Sequence, residues 1–382
     1  YVAPADAPED IQKIFAQDVF ENHKNFSFEN KLWHWKGDIS RDQYQGAFFG
    51  YSMAYEATEN EEIKEMIRKS VVDAVEQLME KKTRTVIFEI NGNIPVPTQV
   101  EIQYAIFNSH ETSSGNPTVR INTDPFEQDD DGMLTFWSNP SIYIRKVPGF
   151  SWVPDILLRS QAIQLASMFR VALQVTENVP EYSLRRQAIL DHYNAMYFEW
   201  SGMAEGWVNS NDCGDSYHGL NIAFLPVFNW VRLENDPVKK SFLRTNILKN
   251  RMWEAVKDHK NVFFAYIFTS MAEPYENTAP VITAHTDQLR QFPSPPLISI
   301  DIDNTVKYEE NPDCEGLSKT AIDVKERIRA GFLWEKNPWK LKEPAEPNLL
   351  FPGVDYLITY WMARYYGYLQ DDAPDTCLRW KE

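Results

Sequence analysis

The sequence predicts a mainly α protein built from helical hairpins, with one small β-hairpin insertion. Three observations lead there. Apolar residues recur at helical spacing along most of the 382 residues. Short polar connectors, such as Glu234-Asn235-Asp236-Pro237 and Glu59-Asn60, separate the periodic runs as they do between paired helices. Strand-like stretches are confined to an insertion at about residues 83–150.

Taken in order, the first helix is expected near residues 9–22. The next, 40–57, opens on Ser40 with Gln43 three residues on, a capping box that satisfies two otherwise unpaired backbone N–H groups. Asp42 then falls in the first turn, where the helix dipole favours an acid. A third helix is expected near 60–81. Thr83 to Ile90 is β-branched and ends in the turn pair Asn91-Gly92, and Met133 to Val147 offers a second candidate hairpin. Further helices are expected near 154–177, 181–200, 217–234, 236–258, 260–272, 318–331 and 353–369. The stretches 108–132, 201–216 and 273–316 are rich in Asn, Asp, Ser, Gly and Pro and read as long loops, which commonly carry function. With no low-complexity linker and no repeat of fixed period, a single domain over residues 1–382 is expected.

The chain carries 55 acids against 38 Lys and Arg, a net charge of −17. That balance argues against nucleic acid or an anionic membrane surface as a partner, since both need clustered cations. The longest apolar stretch, Leu220 to Val231, is interrupted by Pro226 and Asn229 and is too short to span a bilayer. Starting at Tyr1 without a visible targeting segment fits a mature exported chain or simply a trimmed one, and a secreted or periplasmic location is the favoured expectation. Cys213 and Cys314 both sit in polar, loop-like contexts and are the plausible disulfide pair, with Cys377 left over. Asn25-Phe26-Ser27 is a glycosylation acceptor in a eukaryotic secretory host.

Residues 33–57 bring Trp33, His34, Trp35, Asp38, Arg41 and Asp42 to the start of a helix. The run Asp-x-Ser-Arg-Asp-Gln-Tyr-x-Gly from Asp38 to Gly46, together with the helical hairpins and aromatic loops, resembles the (α/α) toroid proteins. The residues before the helix are similar to the Trp-x-Arg-Asp entrances of unsaturated glycuronyl hydrolases, although Ile39-Ser40 stands here where those have a Trp. Pro352 to Gly367 resembles a closing helix of such a ring. The resemblance implies an (α/α) toroid or barrel and an acid at a helix start facing a central funnel.

Sugar rings present apolar faces and hydroxyl edges, so a glycan site combines aromatic platforms with carboxylates. Trp33, His34, Trp35, Trp207, Trp361 and Arg364 are the candidate substrate-binding residues, with Tyr217 also at the cleft. Hydrolysis needs two carboxyl groups flanking the bond. Asp42 or Asp38 is the first candidate, and Asp212, Asp215 or Glu205 in the loop before His218 the second. Tyr217 and His218 also suit proton abstraction beside a uronate held by Arg41 or Arg364, with His34 as a substitute for His218. Glu127, Asp129 and Asp131 alternate ahead of Gly132 as the oxygen ligands of a Ca²⁺ loop do, but Ser138 occupies the position of the usual bidentate Glu. Asp301-x-Asp303-x-Thr305 after an apolar run resembles the nucleophile motif of haloacid-dehalogenase-type phosphatases. It lacks the alternating strands and helices of that fold, and His285 and Asp287 are expected in the same long loop. Carbohydrate cleavage by acid/base chemistry in an acidic, aromatic cleft is the leading expectation. The alternative is a helical scaffold or glycan-binding protein in which the acids cap a helix and the indoles pack beneath it.

Overall fold

The computed structural model describes residues 2–16, 22–28, 30–36, 41–90, 94–104, 118–121, 136–138, 142–146, 159–207, 213, 217–292, 301–327, 332–344 and 353–369. They are mainly helical and fall into two compact units, Tyr1–Tyr197 and Phe198–Glu382.

Unit 1 opens with β1 (Val2–Pro4), a short α1 (Glu9–Gln12) that tightens into a 3₁₀ turn over Lys13–Phe15, then β2 (Asn22–Phe28) and β3 (Lys31–Lys36). These strands form an antiparallel sheet in the order β1-β3-β2. The helix expected over 9–22 therefore ends early, and the indoles expected at a helix entrance lie on a strand. The alternation Phe26-Ser27-Phe28 and Trp33-His34-Trp35 has the period of a half-buried strand, and cross-strand pairing realises it.

The helix α2 (Arg41–Ala57) follows, with Asp42 in its first turn as expected. In α3 (Glu61–Met79) the Asn60 side chain accepts from the N–H groups of Glu62 and Ile63, and two acids complement the helix dipole. Its buried stripe of Ile67, Val71, Val72, Val75 and Leu78 has helical spacing. Both helices pack on α4 (Arg159–Val175), whose residues from Gln161 through Leu173 are all buried. Polar ties fix the packing. The Ser52 hydroxyl bonds Gln174 at 2.6 Å, Gln174 donates to Glu56 at 2.6 Å, and Arg68 donates to the Val175 carbonyl at 3.0 Å. Arg185, at the start of α5 (Ser183–Glu205), bridges Asp73 and Glu76 on α3 at 2.6 Å each, and both carboxylates raise its pKa against the effect of burial.

The insertion is larger than a hairpin. β4 (Lys81–Ile90) and β5 (Ile94–Tyr104) pair antiparallel from Lys81↔Gln103 to Ile90↔Ile94, and the expected turn pair Asn91-Gly92 falls between them, outside the described residues. With β6 (Thr118–Ile121), β7 (Phe136–Ser138) and β8 (Ile142–Lys146) they make a five-stranded sheet in the order β7-β6-β4-β5-β8. The second expected hairpin is not formed: β7 takes its partner from β6 and β8 from β5. Local strand signals give an element its period but not its partner.

Unit 2 contains α6 (His218–Leu233), α7 (Pro237–Phe242), a π-helical stretch over Leu243–Trp253 that runs into α8 (Glu254–Val256), α9 (Val262–Met271), α10 (Ala279–Arg290) and α11 (Val354–Tyr365). Asp236 and Asn261 cap α7 and α9 with their side chains. The helix α9 is buried almost all round, with Phe264 stacked on Phe224 of α6 at 4.1 Å between centroids. Cys213 and Cys314 form the expected disulfide.

Two expectations for this half are corrected. Over the described residues 318–327, the helix expected at 318–331 gives way to irregular chain and a 3₁₀ turn at Val324–Glu326, because Ser318 and Ile322 donate to the carbonyls of Trp339 and Pro338 instead of closing helical turns. The expected loop 273–316 contains α10, started by Pro280 near its N-terminus, so His285 and Asp287 are helical. Asp303 lies in a two-residue strand, β9 (Ile302–Asp303), paired with β10 (Lys342–Glu343). No helix of the described residues is long and apolar enough to cross a membrane.

Candidate functional site

The pairing of β1, β2 and β3 sorts their side chains onto two faces. The register places Val2 and His23 opposite Trp35, Pro4 and Phe26 opposite Trp33, and Phe28 opposite Lys31. Facing residues share one side of a sheet, so Val2, His23, Phe26, Phe28, Lys31, Trp33 and Trp35 belong to one face. Asn30, at φ 61°, makes the turn between β2 and β3, a conformation Asn tolerates better than most residues. A register shift between His23 and Phe26, with Asn25 at φ 58°, bulges β2 and restores the phase of the aromatic residues.

The inner face is closed at its centre. Ala3 and Phe15 are buried there, the Phe15 ring lies 5.4 Å from His34, and the Asn25 backbone N–H donates to His34 Nδ1 at 3.2 Å. The outer face is open. Val2, Phe26 and Phe28 are 65, 55 and 56% exposed, and with Trp33 and Trp35 they line a shallow apolar hollow of about 430 Å³. The rings are held in place from within the sheet. Trp33 Nε1 donates to the Phe28 carbonyl at 3.2 Å, and the His23 and Trp35 rings stack at 3.7 Å, 13° from parallel. A fixed indole face open to solvent is suited to stacking a flat, partly apolar ligand.

A second cluster lies in unit 2. Tyr217 is buried, its hydroxyl 3.3 Å from His259 Nδ1, and Asn261 Nδ2 donates to the same hydroxyl at 3.3 Å. Trp339 packs edge-on against both rings. Burial pushes the Tyr217 phenol up to about 12. Burial, and then the Arg327 cation, push His259 down to about 4, so the imidazole is neutral near pH 7 and resists protonation. Arg327 is itself buried and donates to the carbonyls of Ile322, His259 and Lys260; desolvation lowers its pKa to about 10. This is a hydrogen-bonded pair beside a cation, enclosed in the core.

The other expected site residues are scattered. Trp207 is buried, which removes it from a cleft, as burial does for Tyr217. Tyr217 pairs with His259 rather than with its sequence neighbour His218. Glu205 ends α5 and accepts from Asn246 at 3.1 Å, so it is a helical residue in a structural bond and not a loop acid. Trp361 is 62% exposed on α11, with Arg364 in the same helix's last turn. Asp303 accepts from both the Thr305 N–H and hydroxyl and pairs with Lys342, which together hold it down to about 2. That arrangement is an exposed turn closed by Thr305. Asp38, Asp129, Asp131, Asp212 and Asp215 lie outside the described residues, as do the side chains of Arg41, Asp42 and His218. Among the described residues no group of three His, Cys, Asp or Glu is placed to hold a metal ion.

Comparison with protein-family models, with curated proteins and with solved structures finds no match.

Val2, Phe26, Phe28 and His259 are not among the expected site residues. The two Phe carry a period-2 signal that mirrors Trp33 and Trp35 across Asn30, and it is legible once the segment is read as a hairpin. His259 lies 42 residues from Tyr217, and spacing alone carries no sign of their contact.

Proposed function

We propose that this protein binds carbohydrate on the outer face of the β1-β3-β2 sheet. The observation that carries the reading is the apolar hollow formed by Trp33, Trp35, Phe26, Phe28 and Val2 on a sheet whose other face is already packed around Phe15 and His34. Apolar side chains on an outer sheet face lose the stabilisation that burial brings, and a contiguous exposed set of them marks an interaction site. Pyranose rings fit such a floor because their C–H faces stack on indole while their hydroxyls remain in water. The disulfide supports an oxidising compartment, consistent with an exported glycan-binding protein.

Intrinsic fluorescence titration with neutral and acidic oligosaccharides tests this. Saturable quenching or enhancement is expected for the full chain, with at least about tenfold weaker binding in Trp33→Ala and in Trp35→Ala. Unchanged affinity in both variants, or no binding by the parent protein to any oligosaccharide, rules the face out.

Glycan cleavage is the second reading. Elimination at a uronate through Tyr217 is disfavoured, because the Tyr217–His259 pair and Arg327 are buried where a glycan cannot reach them. Hydrolysis through Asp42 at the start of α2 is its competitor. Release of ultraviolet-absorbing unsaturated ends that disappears in Tyr217→Phe supports elimination. Reducing ends lost in Asp42→Asn support hydrolysis, and neither product leaves binding alone.

A further inference from the structure

The outer face is not uniformly apolar along its length. Alternation places Lys31 on the same face as Trp33 and Trp35, opposite Phe28, two residues before Trp33 and so about 7 Å along the strand. Lys31 is exposed, and among the described residues it makes no ion pair. Lys24 of β2 donates to the Ala16 carbonyl at 3.5 Å, whereas the register puts Lys31 on the aromatic face. A chain of net charge −17 thus places an ammonium at one end of the row of rings.

We propose that this face selects anionic glycans, with a carboxylate or sulfate group held by Lys31 while the neighbouring sugar ring stacks on Trp33. The proposal rests on the carbohydrate reading above and adds its ligand class. Stacking on indole supplies affinity without regard to charge. The ammonium supplies the discrimination, because a carboxylate or sulfate beside it forms a charge-assisted bond that a neutral sugar lacks. The placement also excludes a bidentate clamp: Lys acts as a point charge, so the face accepts either anion in more than one orientation.

The test is calorimetric titration of the full chain with three oligosaccharides of equal length, one neutral, one uronate-bearing and one sulfated, at low and at physiological salt. Expected is at least about tenfold tighter binding of one or both anionic oligomers at low salt, shrinking as salt rises. Lys31→Gln, checked for an unchanged circular dichroism spectrum, is expected to weaken anionic binding about tenfold and to flatten its salt dependence. Equal affinity for neutral and anionic oligomers, or salt dependence that survives in Lys31→Gln, overturns the assignment of charge selectivity and leaves the carbohydrate reading standing. Absence of binding to all three overturns both. Preference for the uronate or for the sulfated oligomer supports the proposal and identifies which anion the face takes.

Discussion

Acidification should loosen unit 2 through one histidine. His259 is 8% exposed, within 3.3 Å of the Tyr217 hydroxyl, and packed under Trp339 at 4.6 Å between centroids. Burial, then Arg327, lower its pKa from 6.5 to about 4. The unfolded chain binds a proton near the ordinary value while the folded chain resists it, so the stabilisation is complete above about pH 6.5 and is lost as the pH falls toward about 4. Each tenfold difference in proton affinity between the two states is worth about 1.36 kcal/mol. Most of the interval has been crossed near pH 4.5, so the loss there is about 2 kcal/mol. His259→Gln keeps a hydrogen-bonding group beside Tyr217 but cannot titrate. Urea unfolding of both proteins at neutral pH and near pH 4.5 should show the parent losing about 2 kcal/mol more than the variant. With a slope of about 2 kcal/mol/M, that is a midpoint difference of about 1 M. The buried His285, also lowered by desolvation, and the lowered carboxylates Asp323 and Glu326 titrate in both proteins and cancel in the comparison. Identical pH dependence in parent and variant would refute the argument that an enclosed neutral imidazole carries this acid sensitivity.

Removing the disulfide with Cys213→Ala and Cys314→Ala opens a loop closed over 101 residues, and chain entropy puts the cost at about 4.7 kcal/mol, read as a lower urea midpoint for unit 2. Asn60→Ala removes the acceptor for two N–H groups at the start of α3 and should cost about 1 kcal/mol, measured by the same unfolding transition for unit 1. Phe28→Ser, at a position 56% exposed, should change folding stability by less than about 0.5 kcal/mol while weakening oligosaccharide binding, so that the fluorescence titration separates a ligand surface from a packing surface.

The helices are legible where local chemistry and burial agree. In α3, Asn60, the acids Glu61 and Glu62, and the stripe from Ile67 to Leu78 all specify one helix, and it ends within two residues of its expected limit. The stretch 318–327 lacks that agreement: the N–H groups of Ser318 and Ile322 donate to Trp339 and Pro338, and those of Asp323 and Val324 to the side chains of Tyr308 and Gln288, pairings that no short window along the sequence contains. The strands β2 and β3 are hidden for a different reason. Their Trp, His and Lys residues read as the approach to a helix, and the short period-2 signal is weak beside the helical run from Ala47. Of the outer face, Trp33 and Trp35 are legible as a pair, whereas Val2 and the two Phe join them only through register.

That register explains why the aromatic face is better read as a ligand surface than as leftover core. A two-faced antiparallel sheet ordinarily turns polar residues outward. Here the outward positions opposite Trp33 and Trp35 are Pro4, Phe26, Val2 and His23, while polar Ser27 and His34 belong to the opposite face. That face also carries Ala3 and Leu32, so it is mixed and not polar throughout, and it is satisfied because His34 receives a backbone hydrogen bond and packs beside Phe15. Polarity withheld from the outer face is therefore not needed for folding. Edge-to-edge association of whole sheets is also opposed by the structure: β2, at one edge, is bulged at its centre and carries the exposed Lys24, two features that disfavour continued strand pairing. With that edge blunted and the face left apolar, the surface favours a partner that stacks on rings over one that adds a strand. A sugar ring meets that requirement without needing any backbone hydrogen bond from the sheet.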